Sequence, residues 1–326
     1  MIKKRKQTIK YNKILFKNPE KKGFISVIIP VFKDYIGLTE TLKSIKNQTL
    51  NSDKFEVIVA NDGNNELISK TCEEFDVTEI KISPNRGSYN ARNKALEVSR
   101  GEYLAFTDAD VMVNIKWLEN GKHFLNKYDY VCGPVQFKKN NQKNIVEKYE
   151  ELYDFNIKDA FKYDYYGVTA NLFTKRNVIE VLGGFDNRLK SGGDNEFGNR
   201  VHYSSQFTQF YSDNFVVHPH RNYHEILIKK QRVSNGINAL LDYFPKRYKK
   251  YTFIFADNLI YTFIPPFNLT YDLNLFFFFW YMKFVDLFIN LFYRNQHMQI
   301  FNENSIFLKI KRMILQEKIP TNIPNP

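Results

Sequence analysis

The chain has 326 residues, of which 43% are hydrophobic and 25% charged, and these proportions are typical of a globular protein with a full apolar core. Its two cysteines, Cys72 and Cys132, exclude a disulfide framework and a cysteine-based metal site, so we expect both to be small buried side chains. The formal charge of +12 leaves nucleic acid, anionic lipid and phosphorylated substrates open as partners.

Residues 1–23 form a stretch rich in Lys and Asn. The stretch lacks the continuous apolar segment that follows the positive start of a secretory signal. We therefore expect a solvated basic N-terminal arm, with contact to a membrane surface as the alternative.

Short apolar runs alternate with amphipathic stretches between residues 24 and 137. This alternation predicts an α/β fold with an open, mostly parallel sheet and helices on both faces. The predicted elements are a strand at 24–32, a helix containing Leu38, Leu42 and Ile45, a strand at 55–60, a helix at 66–75, a strand at 79–82, a helix at 88–98 and a strand at 103–107.

Several aspartates directly follow predicted strands, namely Asp34, Asp62, Asp108 and Asp110. Ligands of open α/β sheets bind beyond the carboxyl ends of the strands. The pattern therefore predicts a row of carboxylates along one edge of the sheet.

The following region continues with both kinds of element. We predict a polar helical stretch at 149–166, a strand at 168–173, a helix at 175–182, a helix with Asp194 near its N-terminus, a strand at 210–217 and a basic helix that reaches about Leu241.

Residues 273–293 are almost wholly apolar and aromatic, and Lys283, Asp286 and Asn290 are spaced to form one narrow polar stripe on a helix. A spanning helix tolerates such a stripe only against protein or water. We therefore favour a helix lying in a membrane interface, and keep a membrane span and a helix packed on the protein as alternatives. Residues 243–326 are thus predicted to be an aromatic-rich helical extension associated with a membrane.

A series of short motifs runs along the first two-thirds of the chain. They are SVIIPVF at 26–32, NDG at 61–63, NRG at 85–87, ARN at 91–93, DAD at 108–110, GGFD at 183–186 and GGDNEF at 192–197. In order and spacing they resemble the family-2 glycosyltransferases of the GT-A fold. The resemblance implies a GT-A domain at 24–242 that uses a nucleotide-diphosphate sugar and a divalent metal, Mn²⁺ or Mg²⁺.

The resemblance assigns the metal site to the DAD motif and a late histidine. It makes Asp110 the metal ligand, places Asp108 on the ribose or on metal-bound water, and lets His218 complete the metal shell, with His220 as a neighbour able to replace it. This fits the chemistry, because a diphosphate leaving group gains negative charge that a hard cation on carboxylate ligands neutralises.

The nucleotide is assigned to three further positions by the same resemblance. Asp62 matches a residue that accepts a hydrogen bond from the base, typically uracil, so a UDP-sugar is the favoured donor. Phe32 matches an aromatic side chain that packs on the base, with core packing as the alternative. Arg86 would contact a phosphate or the ribose, with a plain surface position as the alternative.

Asp194 matches the family's general base, which removes the proton of the acceptor hydroxyl. The family pattern has an acidic residue before this aspartate, and here Gly193 stands there, so Glu196 is kept as a second candidate and as a residue that orients the acceptor or sugar. A base opposite the leaving group implies a single displacement with inversion.

The aromatic-rich extension at 243–326 and the resemblance together predict a glycan or lipid-linked acceptor at the cytoplasmic face of a membrane, as in assembly of a surface polysaccharide or glycolipid. Nucleic acid is not expected as a partner, because the basic residues are dispersed and no recognition motif occurs. Two other functions stay open. They are an inactive membrane-tethered module that binds sugar or nucleotide, and, less favoured, a basic nucleic-acid-binding protein.

Overall fold

The chain divides into two compact units, the first ending at Arg221 and the second beginning at Asn222. The predicted N-terminal arm and C-terminal extension fall partly outside the described residues, and the predicted domain boundaries stay predictions. The computed structural model describes residues 12–153, 156–252 and 272–294.

The described strands of the first unit form a larger and a smaller sheet. In chain order the strands are β1 (Lys21–Val31), β2 (Phe55–Asp62), β3 (Thr78–Ile82), β4 (Gly101–Phe106), β5 (Met112–Val113), β6 (Tyr130–Cys132), β7 (Val135–Phe137), β8 (Leu172–Lys175), β9 (Gln209–Tyr211) and β10 (Val216–His218). The larger sheet has the order β3-β2-β1-β4-β8-β6-β9, and the smaller sheet has the order β5-β10-β7. Strands β1 to β4 are parallel and β8 is antiparallel to both its neighbours, which confirms the predicted, mostly parallel α/β sheet.

Several described helices begin at polar residues whose side chains cap them. Asp34 accepts a hydrogen bond from the backbone N–H of Gly37 at 2.8 Å, and Asn222 forms a capping box with Glu225. The helices are α1 (Tyr35–Lys46), α2 (Glu66–Glu74), α3 (Ser88–Val98), α4 (Trp117–Leu125), α5 (Ile145–Tyr153), α6 (Ile157–Asp164), α7 (Arg176–Leu182), α8 (Gly193–Ser204), α9 (Tyr223–Tyr243) and α10 (Leu273–Arg294).

The core of the first unit is built around β1. Ile25, Val27, Ile28 and Ile29 are all fully buried, although successive side chains of a strand point to opposite faces of the sheet. Both faces of the strand are therefore covered, as expected for parallel strands between layers of helices. The two cysteines are free and buried, as predicted.

The single strand predicted at 210–217 is wrong, because this segment forms β9 in the larger sheet and β10 in the smaller one. Asn214 lies between the two strands, where its side chain donates to the carbonyl of Trp117 at 2.9 Å and its own carbonyl accepts from Asn171 at 2.7 Å. These buried bonds hold the chain where it passes from one sheet to the other. The helical stretch predicted at 149–166 likewise divides into α5 and α6.

Candidate active site

One edge of the larger sheet collects several of the predicted site residues. Phe32 follows β1, Asp62 ends β2, Arg86 lies in the loop after β3, and Asp108 lies just after β4. Because these four strands are parallel neighbours, their carboxyl ends share one edge, as the sequence predicts.

The smaller sheet brings His218 to Asp110. Strand β5 starts two residues after Asp110 and pairs antiparallel with β10, with Met112 opposite Val217. This register leaves His218 Nε2 at 3.3 Å from Asp110 Oδ2. His218 Nδ1 lies 2.5 Å from the carbonyl oxygen of Pro219. The ring therefore presents Nε2 to the Asp110 carboxylate.

Arg221, the last residue of the first unit, lies next to this pair. Its guanidinium lies 2.8 Å from His218 Nε2, and it also donates to a carboxylate oxygen of the buried Glu150 at 2.8 Å. Burial alone would raise the pKa of Asp110, but the hydrogen bond with His218 and the charges of His218 and Arg221 outweigh it and lower that pKa. Asp110 is therefore held in its ionised form.

The Asp110–His218 pair fits a divalent cation. Within the described ranges, no group of three or more His, Cys, Asp or Glu side chains converges on a metal position. A pair of protein ligands nonetheless suits a hard cation that takes its remaining ligands from phosphate oxygens and water. His220, the predicted alternative to His218, instead stacks on Phe137, with ring centroids 4.7 Å apart.

Asp108 has a different partner, the buried guanidinium of Arg92. Nη2 of Arg92 contacts Asp108 Oδ1, and the Arg92 side chain is only 3% exposed. The same guanidinium lies 5.7 Å from the centroid of the Tyr89 ring, one helical turn earlier in α3. Tyr89 in turn donates its hydroxyl hydrogen to Asp194 Oδ1 at 3.2 Å. Helix α3 thus links the aspartate after β4 with the aspartate of α8.

Asp194 lies half-buried in the first turn of α8. Its Oδ1 also accepts from the backbone N–H of Asn195 at 3.0 Å. Burial raises the pKa of Asp194, and this effect exceeds the opposing effects of its hydrogen bonds and of the Arg92 charge. A carboxylate with a raised pKa is better suited to accept a proton near neutral pH than an ordinary one.

Asp62 holds the loop after β3. Its side-chain oxygens accept from the backbone N–H groups of Arg86 at 2.8 Å and Gly87 at 2.7 Å, and the residue is 2% exposed. The Arg86 side chain is exposed at this edge. Phe32 is 49% exposed, so it is no core residue, and a Cβ on Gly63 would lie 2.8 Å from its ring. The glycine therefore lets the ring lie over the turn after β2.

Glu196 points into the protein. It is fully buried and forms an ion pair with Arg200 at 2.7 Å. Arg200 also donates to three successive carbonyl oxygens, those of Leu182, Gly183 and Gly184. Glu196 therefore stabilises the turn after α7, and its predicted role in orienting an acceptor finds no support in this position.

The sequence reasoning missed Tyr89 and Arg221. Tyr89 stands three residues before Arg92, and Arg221 stands three residues after His218. The three-residue spacing of Tyr89 and Arg92 indicates that the two side chains share one face of a helix. Arg221 lies in an irregular segment, and its contact with the distant Glu150 cannot be predicted from spacing.

Comparison with known proteins shows a family relationship. The profile of glycosyl transferase family 2 matches residues 26–183. Glycosyltransferase AglE of Haloferax volcanii is 34% identical over 220 residues, which are 65% of this chain and 72% of AglE. Minor teichoic acid biosynthesis protein GgaB of Bacillus subtilis is 27% identical over 190 residues, which are 54% of this chain and 21% of GgaB.

A solved structure shares the fold. Mannosyltransferase PcManGT from Pyrobaculum calidifontis, in complex with GDP-Man and Mn²⁺, has a TM-score of 0.53 at 17% identity. The match covers 94% of this chain and 84% of PcManGT. This likeness supports the GT-A architecture that the sheet order displays.

Replacing Asp62 by alanine should loosen the loop at 85–87, because two backbone N–H groups lose their acceptor. We expect the free energy of unfolding to fall by about 2–4 kcal/mol in urea denaturation, with faster amide hydrogen exchange at Arg86 and Gly87. Asp53→Ala, at an exposed position, is the control and should change neither quantity. Unaltered exchange at Arg86 and Gly87 in the Asp62 variant would contradict the assignment.

Replacing Glu196 by alanine should lower the free energy of unfolding by about 3–5 kcal/mol, because it removes the fully buried carboxylate that faces the Arg200 charge. The matched control is Glu180→Ala, which breaks the Arg176–Glu180 pair at the same helical spacing but with Glu180 46% exposed. That loss should stay below about 1 kcal/mol. Equal losses in the two variants, measured by urea denaturation, would refute the structural role of Glu196.

Proposed function

The chain belongs to glycosyl transferase family 2 and is a glycosyltransferase, and we propose that it moves a sugar from a nucleotide-diphosphate sugar to an acceptor hydroxyl with inversion. One observation carries this proposal. Asp110 and Asp194 stand in opposite electrostatic surroundings, which lower the pKa of the first and raise that of the second. A metal-dependent inverting transfer uses both kinds of carboxylate, one to bind the cation and one to accept a proton.

We assign the donor's diphosphate to Asp110 and His218 through a divalent metal, Mn²⁺ or Mg²⁺. The ionised Asp110 and the neighbouring Nε2 of His218 support this assignment. When bound, such a cation neutralises the negative charge of the leaving diphosphate. The Mn²⁺ of PcManGT, a protein of the same fold, is consistent with it.

Asp194 acts as the general base in this proposal. As the acceptor oxygen bonds to the anomeric carbon, its proton passes to the Asp194 carboxylate, and the electron pair of the breaking bond leaves with the diphosphate. Attack from the face opposite the leaving group gives inversion. The raised pKa of Asp194 and the anchoring of its Oδ1 support the role.

The nucleotide is assigned to the edge formed by β1, β2 and β4. The exposed ring of Phe32 offers a flat surface on which a base can stack. Asp62 fixes the backbone of the adjacent loop, Arg86 offers a guanidinium for a phosphate or the ribose, and Asp108 offers a carboxylate for the ribose. A UDP-sugar is the favoured donor.

We further propose that the second unit contacts the cytoplasmic face of a membrane. Inside this unit, Asp286 of α10 pairs with Lys230 of α9 at 2.8 Å, and Asn290 accepts from Ser234 at 3.2 Å, so part of the predicted polar stripe faces α9. The large apolar and aromatic side chains left exposed on α10 recur every three or four residues, at Leu273, Phe277, Tyr281, Phe284 and Phe288.

This row of α10 side chains suits insertion into a membrane interface. Of the described helices, α10 alone is long and apolar enough to span a membrane by length and composition. The paired charges within it favour an interfacial position over a span. A membrane contact agrees with a lipid-linked glycan as acceptor, and the name of GgaB, a teichoic acid biosynthesis protein, supports a cell-surface polymer.

The donor assignment is tested by nucleotide release from UDP-, GDP- and dTDP-sugars, with Mn²⁺ or Mg²⁺ present and then chelated. We expect metal-dependent turnover of one donor, lost in Asp110→Ala and His218→Ala. Asp194→Asn should lower kcat by about 10²–10⁴-fold while nucleotide affinity is retained, because only the proton acceptor is removed. Asp213→Asn, at an exposed position, is the control and should keep wild-type activity.

Two results would change the proposal. Turnover that survives chelation and the Asp110 and His218 variants would remove the metal assignment. Nucleotide-sugar binding without turnover on any glycan or lipid-linked acceptor would favour a binding module over the transferase.

The membrane assignment is tested by sedimentation with vesicles that contain phosphatidylglycerol. Phe277→Ser/Phe284→Ser should weaken binding at least tenfold, because two exposed rings no longer enter the interface. Full burial of one such ring contributes about 1.5–3 kcal/mol to the free energy of binding. Ile36→Ser/Val181→Ser removes two exposed apolar side chains of the first unit and should have no effect. Alkaline carbonate should release the bound protein; resistance to carbonate would indicate a span, and equal binding by both double variants would refute the contact.

A further inference from the structure

Tyr89 occupies a position between α3 and the base in α8. Its side chain is 6% exposed, and its hydroxyl makes two contacts with the same residue. It donates to Asp194 Oδ1 at 3.2 Å and accepts from the backbone N–H of Asp194 at 3.4 Å. The hydroxyl thus uses both its donor and its acceptor capacity on Asp194.

The Tyr89 ring is held from several sides. It stacks on the fully buried Phe185 with centroids 5.7 Å apart, and Phe185 packs edge-on against Phe106 of β4 at 5.3 Å. The buried guanidinium of Arg92 lies on the ring as well. A ring fixed by β4, α3 and the turn before α8 presents its hydroxyl at a defined place.

Gly193 provides the space for this ring. A Cβ at position 193 would lie 2.7 Å from the Tyr89 ring, closer than side chains pack. Any side chain there would push the ring, and with it the hydroxyl, away from Asp194. The absence of a side chain at the residue before the base is therefore coupled to the presence of tyrosine at position 89.

We propose that Tyr89 is a positioning residue for the general base, and that the missing side chain of Gly193 provides the space that the Tyr89 ring requires. The inference rests on the proposed function of Asp194. Tyr89 and the N–H of Asn195 both engage Oδ1, and Oδ2 makes no hydrogen bond to any residue that the structure describes. This arrangement fixes the carboxylate plane and leaves Oδ2 to receive the proton of the acceptor hydroxyl.

The first test is Tyr89→Phe, which keeps the ring and removes the hydroxyl. We expect kcat to fall roughly tenfold, with the donor KM and nucleotide affinity unchanged, because a hydrogen bond to a carboxylate is lost without a change in the nucleotide's surroundings. Tyr103→Phe is the matched control, since Tyr103 is also buried and donates its hydroxyl to Asn126 at 3.0 Å, away from Asp194. It should keep wild-type kcat.

The pH profile separates positioning from simple packing. Tyr89 and Tyr130 face Asp194 and stay protonated because burial raises the pKa of each, and the third neighbour, the Arg92 guanidinium, lowers the pKa of Asp194 by its charge. With metal and donor saturating, the acid limb of kcat therefore reports Asp194. A hydrogen bond donated to the ionised carboxylate lowers its pKa, so its loss in Tyr89→Phe should move the acid limb to higher pH.

Gly193→Ala gives an independent measure. It should lower kcat at least as much as Tyr89→Phe, and the double variant should be little worse than the poorer single variant, because both changes act on one hydrogen bond. Wild-type kcat and an unmoved acid limb in Tyr89→Phe would overturn the inference, and so would a loss of nucleotide affinity equal to the loss of kcat. If Asp194→Asn keeps full activity, the proposed base itself fails; if it is inactive while Tyr89→Phe is normal, only the positioning role fails.

Discussion

The buried charge of Arg92 is the constraint on which Asp108 and Asp194 both depend. A guanidinium taken out of water is costly unless an ionised carboxylate lies against it, and Asp108 supplies that carboxylate. The pairing fixes the turn after β4 against α3. The same positive charge opposes the effect of burial on the pKa of Asp194. Helix α3 therefore contributes to the surroundings of both Asp108, which is assigned to the donor nucleotide, and Asp194, the proposed base.

The sheet edge could be predicted from the sequence because it depends on local patterns. Apolar runs of strand length, each followed by a polar turn, are enough to bring Asp62 and Asp108 to the same edge. The partners of Asp62 could not be predicted, because they are backbone N–H groups of the loop at Arg86 and Gly87, more than twenty residues further along the chain. Asp62 is therefore as much a structural anchor of the site as a candidate nucleotide contact.

Helix α8 carries two acidic residues, Asp194 and Glu196, that the motifs alone could not tell apart. Asp194 and Glu196 are two positions apart on α8, so their side chains leave the helix in nearly opposite directions. Glu196 contacts the buried Arg200 four residues later, a spacing that is visible in the sequence.

The polar stripe of α10 could be understood only together with α9. The Asp286–Asn290 spacing of α10 matches the Lys230–Ser234 spacing of α9, and only the two helices considered together reveal the pairing.

The two carboxylates assigned to the reaction differ by their surroundings and not by their chemistry. Asp110 is kept ionised by His218 and by Arg221, and Arg221 is itself held by the buried Glu150. Asp194 has burial as its largest influence, so the charged form is less favoured there. A metal ligand must stay ionised, whereas a base must be able to keep the proton it takes. Because the groups around Asp110 come from α5 and the end of β10, and those around Asp194 come from α3 and α8, each pKa is set by elements that the other does not use.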